Sequence, residues 1–338
     1  MDDIIGIQMI GTQRSGSNLL RVMLDAIDEI VAPHPPHILQ RFLPLLPKYG
    51  DLSDKNNFHN LVEDVCELVC INPVPWEGVI LNTENVLKEC EHPTLFDVFH
   101  IIYKTAAIQT HATHWLCKSM KNSYYAKAME DAGIHPFYLY LYRDGRDVAL
   151  SFQKAIVGEK HIYALANVWK KDQEAALAVR SIVPAKRFIS LSYEELIVDP
   201  EGTVRSLCQK LGVLYTNKVM DYYKSSESKH TAIAGKMWQN VIKPVLKNNS
   251  KKFLKEMSPN DICIFESVAG NVLKELGYEL YTDSDKLCSF SEDEITLFME
   301  ENDRLKRKFK MEKVDPGDIE KRRPQMELLE RIRNYNDK

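Results

Sequence analysis

The chain has 338 residues, of which 44% are hydrophobic, so it is long enough for one large α/β domain or two smaller ones. A formal net charge of −4 and a pI of about 6.2 argue against general nucleic-acid binding. The seven cysteines are irregularly spaced, which does not suggest a disulfide framework, and no apolar run approaches the ~18 residues that span a bilayer.

The first predicted element is a buried strand at residues 4–10, because these residues are mostly apolar and run into a glycine. Apolar residues then recur at helical spacing, which predicts a helix over 17–27. The segment Gly11–Asn18 is therefore predicted to be a strand-to-helix loop. Such a loop directs backbone N–H groups and the positive end of a helix at an anion.

Two glycines of this loop, Gly11 and Gly16, have the spacing of a nucleoside-triphosphate loop. Ser17 stands where that loop has its lysine, and Arg14 lies inside the loop instead. ATP or GTP hydrolysis with Mg²⁺ is therefore a poor fit, whereas a 5′-phosphate carrying an anionic group fits. The alternative is a structural glycine turn, to which an arginine at the crest of the loop would add nothing.

Residues 33–110 are interpreted as an insertion that lines the pocket of an acceptor, with a helix near 58–71. Its apolar side chains either shape a lipophilic pocket or belong to the core, which is the default interpretation. These side chains are Ile38, Leu39, Phe42, Leu43, Leu45, Leu46 and Trp76.

Strands and helices alternate through the rest of the domain, which predicts an α/β fold with a central parallel sheet flanked by helices. A ligand is then expected at the carboxyl ends of the strands. The predicted strands are near 115–118, at 137–142 and at 187–191, and the predicted helices are at 122–132, 145–156 and 161–180.

A second motif follows the strand at 137–142. Arg143 at the strand end and Ser151 on the next helix are placed to clamp a second phosphate, because a guanidinium matches phosphate oxygens. The alternative is an internal ion-pair cluster that includes the remaining charged residues of the motif. These are Asp144, Arg146 and Asp147.

Together the two motifs resemble those of the sulfotransferase family that uses 3′-phosphoadenosine 5′-phosphosulfate (PAPS), whose fold is of the P-loop-containing nucleotide-binding type. The resemblance implies that the first motif holds the 5′-phosphosulfate and that Arg143 and Ser151 hold the 3′-phosphate. The matching residues of the first motif are Arg14, Ser15, Gly16, Ser17 and Asn18.

Weaker matches extend the resemblance over roughly residues 4–280. The segment Leu191–Leu196 resembles one whose tyrosine, here Tyr193, lies near the adenine. Cys117-Lys118-Ser119 resembles the strand end of the family. Gly235–Trp238 loosely resembles the segment that closes over the nucleotide, which implies that Lys236 and Trp238 contact it.

The general base departs from the family pattern, because Met120 stands at the position of the histidine that the cytosolic branch of the family uses. Other branches place a glutamate farther along after the loop, where this chain has His34 and His37. Imidazole is partly unprotonated near neutral pH, so His37 is the first candidate and His34 the second. Arg14 and Lys118 are the candidates for stabilising the transferring group, and no metal is expected. Reserve candidates for the base are His111 and His114.

Charged residues dominate the last part of the chain, and we divide the chain into a sulfotransferase domain at 1–285 and a charged helical extension at 286–338. The extension is interpreted as a solvated helix. The alternative is an arm for a homodimer contact or for an acidic membrane surface. The acidic Met-Asp-Asp start lacks the basic region of a secretion signal, so we expect a cytoplasmic protein without an integral membrane segment.

The sequence therefore predicts transfer of a sulfuryl group from PAPS to a hydroxyl of a small molecule or lipid, with a histidine as general base. Three alternatives stay open: a non-catalytic adenine-nucleotide-binding protein, a sulfotransferase acting on a carbohydrate, and a P-loop kinase with an unusual loop. No nucleic-acid partner is expected.

Overall fold

A five-stranded parallel sheet forms the centre of the computed structural model, which describes residues 4–313 and 316–335. The strand order is β2-β3-β1-β4-β5, and every neighbouring pair is parallel, so all carboxyl ends lie at one edge. The strands are β1 Ile5–Ile10, β2 Ile30–Val31, β3 His114–Cys117, β4 Phe137–Tyr142 and β5 Phe188–Ser192.

Helices surround this sheet, which confirms the predicted α/β fold. In chain order they are α1 Ser17–Asp25, α2 Ile38–Phe42, α3 Lys55–Cys70, α4 Thr83–Glu89, α5 Leu95–Gln109, α6 Ala126–Asp131, α7 Gly145–Gln153, α8 Ile162–Ile182, α9 Tyr193–Val198, α10 Pro200–Leu211, α11 Ser226–Ile233, α12 Phe253–Glu256, α13 Pro259–Glu275, α14 Glu292–Lys313 and α15 Pro316–Arg333. Short 3₁₀ segments lie at Leu43–Tyr49, Met120–Tyr125, Ala185–Arg187, Asn217–Lys224, Lys236–Ile242 and Ser284–Lys286.

The observed elements follow the predicted ones closely in the central domain, because strand and helix periodicities are strong there. The predicted helix at 122–132 is a 3₁₀ segment followed by α6. The two-residue strand β2 was not predicted, since two residues carry no periodic signal. The acidic Met-Asp-Asp start lies outside the described residues.

The predicted insertion at 33–110 folds as α2 to α5 and builds a core against one face of the sheet. Trp115 of β3 packs there against Phe99 and Tyr103 of α5, with ring centroids 5.8 and 5.3 Å apart. The apolar side chains singled out in this insertion belong to the same core, so they do not form a lipophilic pocket. Ile38, Leu39, Phe42 and Trp76 are buried in it, and Leu43, Leu45 and Leu46 pack against it.

The C-terminal helices pack onto the main domain. In α14, Phe298 stacks on His161 with ring centroids 4.8 Å apart. In α15, Leu328 and Ile332 are buried in the core formed with α3 and α5. The side chain of Arg331 donates to Asp64 at 2.8 Å. The α15 helix of the predicted extension therefore contributes to the core of the main domain.

Two further observations concern the chain as a whole. None of the helices in the described part of the chain is long and apolar enough to cross a membrane. All seven cysteines are free thiols. The predicted homodimer contact through the C-terminal helices stays a prediction.

We expect that Leu328→Ala lowers the free energy of unfolding by about 2–4 kcal/mol, because it opens a cavity in the shared core. Met326 lies on the same helix with an exposed side chain, so Met326→Ala should change that free energy by less than about 0.5 kcal/mol. Urea denaturation of both variants measures the difference. Equal, small effects would show that α15 is not part of the cooperative core.

Candidate functional site

A cavity of about 570 Å³ opens at the carboxyl edge of the sheet. Every strand contributes a residue that follows its carboxyl end: Arg14 after β1, His34 after β2, Lys118 after β3, Arg143 after β4 and Tyr193 after β5. The parallel arrangement thus gathers residues from five separate parts of the chain around one space, as expected for a ligand site in an open α/β sheet.

The loop after β1 presents an anion cradle. The N-terminus of α1 has no side-chain cap and no acidic residue in its first turn, so its backbone N–H groups are available. The side-chain oxygens of Ser15 and Asn18 are buried and have no hydrogen-bond partner in the described structure. Gly16 has φ 87°, and a Cβ there would lie 2.3 Å from the ring of Tyr193. Only glycine therefore fits at the narrowest point of the loop.

The two sequence motifs meet in this cavity. The Nε atom of Arg14 donates to Ser151 Oγ at 3.0 Å, and Nη1 of Arg143 donates to the carbonyl oxygen of Arg14 at 3.2 Å. Nη2 of Arg143 donates to the carbonyl oxygen of Asn249 at 2.7 Å, and its guanidinium lies 4.4 Å from the ring centroid of Tyr193. Burial, and then the charge of Arg143, lowers the pKa of Arg14.

The charged residues of the second motif divide into two groups. Arg146 is buried and pairs with Asp144 at 2.7 Å and with Glu266, so these residues form an internal ion-pair cluster. Arg143 lines the cavity, with the Asp147 carboxylate 3.6 Å away. The ion-pair interpretation therefore holds for Arg146 and Asp144, whereas the phosphate clamp at Arg143 and Ser151 stays a prediction.

Lys118 is buried at the end of β3 and lines the cavity. Burial, followed by the charges of Arg21 and Arg14, lowers the pKa of its ammonium group to about 7. The loop that carries Lys118 is fixed by the neighbouring strand β1, since Nε2 of Gln8 donates to the carbonyl oxygen of Ser119 at 3.2 Å. An anion in the cavity would favour the protonated lysine.

His37 lies on the rim of the same cavity at the start of α2, in the left-handed backbone region with φ 61°. Its Nδ1 is 3.0 Å from Ser119 Oγ. Burial, then the charges of Lys118 and Arg41, lowers the pKa of the imidazole to about 3, so the ring is neutral at physiological pH. A proton on Nδ1, donated to Ser119, leaves Nε2 as an acceptor.

His34 is buried beside His37, and neither ring nitrogen has a partner in the described structure. Its ring lies 4.7 Å from the Trp238 ring, measured between centroids. Burial, followed by the charge of Lys118, lowers the pKa of His34 well below its ordinary value. The carbonyl oxygen of His34 accepts from Trp76 Nε1 at 2.9 Å and Asn72 Nδ2 at 3.0 Å, which fixes the loop.

The loop that carries His34 and His37, called the histidine loop below, is also held by α1. Nη1 of Arg21 donates to the carbonyl oxygen of Ala32 at 2.8 Å, and the same guanidinium pairs with Glu227 and donates to Thr231 at 2.6 Å. The N–H of Ala32 donates to Asp25 Oδ1 at 2.8 Å. This buried network was not found from the sequence, because its members are far apart along the chain.

Several predicted residues lie elsewhere. The side chain of Lys236 is exposed and lines a separate groove with Lys229 and Lys321, whereas Trp238 lines the main cavity. Met120 is buried in the core. His111 is exposed before β3, and His114 starts that strand, so both lie at the opposite edge of the sheet from the cavity.

The cavity also has lining residues that sequence reasoning missed. Asn249 and Lys252 precede α12, where a polar, lysine-rich run leads into a buried phenylalanine; that run is the local signal for a loop over the site. Arg41, Arg322 and Gln325 come from α2 and α15, and no local pattern in the sequence marks them.

A family model described as "Sulfotransferase family" matches residues 7–217. Among solved structures, the chain is similar to "Sulfotransferase Domain from the Curacin Biosynthetic Pathway", with a TM-score of 0.56 and 17% identity over 82% of this chain and 99% of that chain. It is also similar to "Sulfotransferase Domain from the Synechococcus PCC 7002 Olefin Synthase", with a TM-score of 0.51 and 19% identity over 78% and 93%. At these identities the likeness shows the fold. The comparison with curated proteins finds no match.

We expect the stability difference between wild type and Lys118→Met to depend on pH. A lysine whose pKa is about 7 in the folded protein and ordinary in the unfolded chain binds fewer protons when folded, so its contribution to stability rises as pH increases above 7. The free energy of unfolding of the wild type should therefore rise relative to that of the variant by up to about 1.4 kcal/mol per pH unit between about pH 7 and 9. Urea denaturation across this range measures it, and a constant difference would contradict the lowered pKa.

Proposed function

The chain belongs to the sulfotransferase family, and from that premise we propose that it transfers a sulfuryl group from PAPS to a hydroxyl group of a small acceptor molecule. The observation that carries this proposal is the junction of the two motifs, where Arg14 contacts Ser151 and Arg143 contacts the backbone of Arg14. When bound, PAPS supplies the sulfuryl group and a bisphosphate leaving group.

The residues present fit the 5′-phosphosulfate. The uncapped N-terminus of α1, the unpartnered hydroxyl of Ser15 and the hydroxyl of Ser17 provide donors, and Arg14 and Lys118 provide positive charge. Gly16 keeps the loop free of a side chain at its narrowest point, beside Tyr193. We assign Asn18 to the same end, because it lines the cavity at the first turn of α1.

The residues also fit a 3′-phosphate. Arg143 is held in place by the carbonyl oxygens of Arg14 and Asn249, so its guanidinium is fixed before a ligand arrives. Ser151 and Lys252 line the same cavity as Arg143. A fixed guanidinium loses little conformational freedom on binding a phosphate, which favours affinity.

We assign Tyr193 to the nucleotide, since its ring packs between Gly16 and the guanidinium of Arg143. Trp238 is assigned instead to the acceptor side, because its ring packs on His34. Lys236, whose side chain lies outside the main cavity, takes no part in this proposal.

We propose His37 as the general base, for two reasons. Its ring is neutral, and Ser119 orients it next to Lys118. His34 is the second candidate, buried in the same loop with both nitrogens unpartnered. In this arrangement His37 takes the proton of the acceptor hydroxyl, while Lys118 and Arg14 stabilise the negative charge that develops on the leaving phosphate.

Isothermal titration with 3′-phosphoadenosine 5′-phosphate (PAP), AMP and ATP tests the nucleotide part. We expect selective binding of PAP, and we expect Ser151→Ala to weaken PAP binding about tenfold while AMP binding stays unchanged, because a hydrogen bond to a charged phosphate is lost. Ser181 is exposed on α8, so Ser181→Ala is the matched control.

Two outcomes of that titration would count against the assignment. Equal affinity for PAP and AMP in the wild type would remove the 3′-phosphate clamp. Equal weakening of both nucleotides by Ser151→Ala would show that Ser151 acts only by positioning Arg14, to which it is hydrogen-bonded.

For the base, we expect His37→Ala to lower turnover by about 10²–10⁴-fold with PAP affinity changed less than about twofold. His34→Ala should have a smaller effect, and His59→Ala, at a surface position on α3, should have none. Rates with labelled PAPS and a panel of hydroxyl acceptors provide the measurement. Full activity of His37→Ala would exclude it as the base, and tight PAP binding by the wild type without transfer to any acceptor would favour a non-catalytic nucleotide-binding protein.

A further inference from the structure

Two arginines line the cavity beyond those of the sequence motifs. Arg41 lies on α2 and Arg322 on α15, and both side chains are half-buried. In the described part of the chain, neither has a carboxylate within 4.0 Å. Burial, followed by the charge of Arg322, lowers the pKa of Arg41 to about 10. Two guanidiniums close enough to repel one another therefore face the cavity without a counterion among the described residues.

A buried amide holds one of these arginines in place. Nη1 of Arg41 donates to Gln325 Oε1 at 2.7 Å. The Nε2 atom of Gln325 donates to the carbonyl oxygen of Leu68 at 3.0 Å and to Asn72 Oδ1 at 3.3 Å, which fixes the orientation of the amide. Gln325 is 3% exposed, so the support is rigid and dry. The site is built before any ligand binds.

The other arginine connects this pair to the histidine loop. The guanidinium of Arg322 lies 5.5 Å from the ring centroid of Trp238, and Trp238 packs on His34. Asn72, which supports Gln325, also donates to the carbonyl oxygen of His34. The arginine pair thus belongs to the same side of the cavity as the proposed base.

The carboxylates that line the cavity, among the described residues, are Asp147 and Glu256. Asp147 lies beside Arg143, and Glu256 pairs with Lys154, which directly follows α7. Both belong to the part of the cavity near the second motif. No described carboxylate of the lining is left to balance the arginine pair, so this part of the cavity suits an anionic ligand group.

One half of this pair, with its supporting amide, lies outside the matched family region, whereas Arg41 lies within it. Arg322 and Gln325 lie on α15, more than a hundred residues after the match ends at residue 217. The helix is anchored by Leu328 and Ile332, so it presents both residues from a packed position. The C-terminal helix is therefore part of the site.

We propose that Arg41 and Arg322 form a subsite for an oxyanion group of the acceptor, so that the acceptor is a hydroxyl compound bearing a carboxylate or a phosphate. This inference rests on the proposed function. Planar guanidiniums bind both oxyanions through paired hydrogen bonds. The predicted choice of a lipid as acceptor loses its support in this region, because the apolar side chains that suggested it lie in the core.

The test measures binding to the PAP complex and needs no turnover. A series of ω-hydroxyalkanoates of increasing chain length is titrated by calorimetry into protein saturated with PAP, beside ω-hydroxyalkyl phosphates and the uncharged diols of equal length. We expect at least one charged compound to bind about tenfold more tightly than its diol. The carboxylate and phosphate series show which oxyanion the subsite prefers.

Variants assign the preference to these residues. Arg322→Gln and Arg41→Gln should each abolish it, whereas Arg323→Gln should retain it, because Arg323 is exposed on the same helix and pairs with Glu320 at 2.5 Å. PAP affinity is measured for every variant and should change less than about twofold. Circular dichroism melting of the Gln variants confirms that α15 is still folded.

The outcomes separate the two proposals. Failure of the wild type to bind PAP would overturn the proposed function. Normal PAP binding without any preference for charged compounds, or a preference that survives Arg322→Gln, would overturn the subsite alone. A loss of PAP affinity in Arg322→Gln as large as the loss of acceptor binding would assign Arg322 to the nucleotide and also overturn the subsite.

Discussion

An excess of positive charge at one edge of the sheet is the constraint on which this structure depends. The cavity is lined by several cations and, among the described residues, by two carboxylates, Asp147 and Glu256. The pKa shifts report the same imbalance: burial and neighbouring cations lower the pKa of Lys118 to about 7 and that of His37 to about 3. Such an arrangement is costly for the protein alone, and an anionic ligand would balance it. The cations are Arg14, Arg41, Lys118, Arg143, Lys154, Lys252 and Arg322.

The charges that are balanced within the protein hold this site in place. Arg21 pairs with Glu227 and fixes the histidine loop through the carbonyl oxygen of Ala32. Arg146 pairs with Asp144 and Glu266 behind the second motif. These ion pairs are buried and lie behind the cavity lining, so their role is geometric. Paired ions therefore support the fold, and the cations with few counterions face the cavity.

The sequence predicted those parts of the site that are local in the chain. A strand that ends in a loop and continues as a helix has periodic signals, so the loop at Gly11–Asn18, the Arg143 strand end and the parallel sheet were foreseen. Contacts between distant segments have no such signal: Arg41 and Gln325 are 284 residues apart. For the same reason the sequence analysis assigned Lys236 to the segment over the nucleotide. In the structure the Lys236 side chain lines a separate groove, and Asn249 contacts Arg143 instead.

The two proposals are coupled through the electrostatics of His37. The charge of Arg41 is one of the causes that lower the pKa of this imidazole, after burial and Lys118. An oxyanion bound to Arg41 offsets that contribution, and negative charge bound near Lys118 offsets the other. Each offset raises the pKa of His37 and so makes it a stronger proton acceptor. An acceptor without the oxyanion leaves Arg41 unbalanced and the imidazole a weaker base. On these two proposals, the subsite favours the charged acceptor in proton transfer as well as in binding.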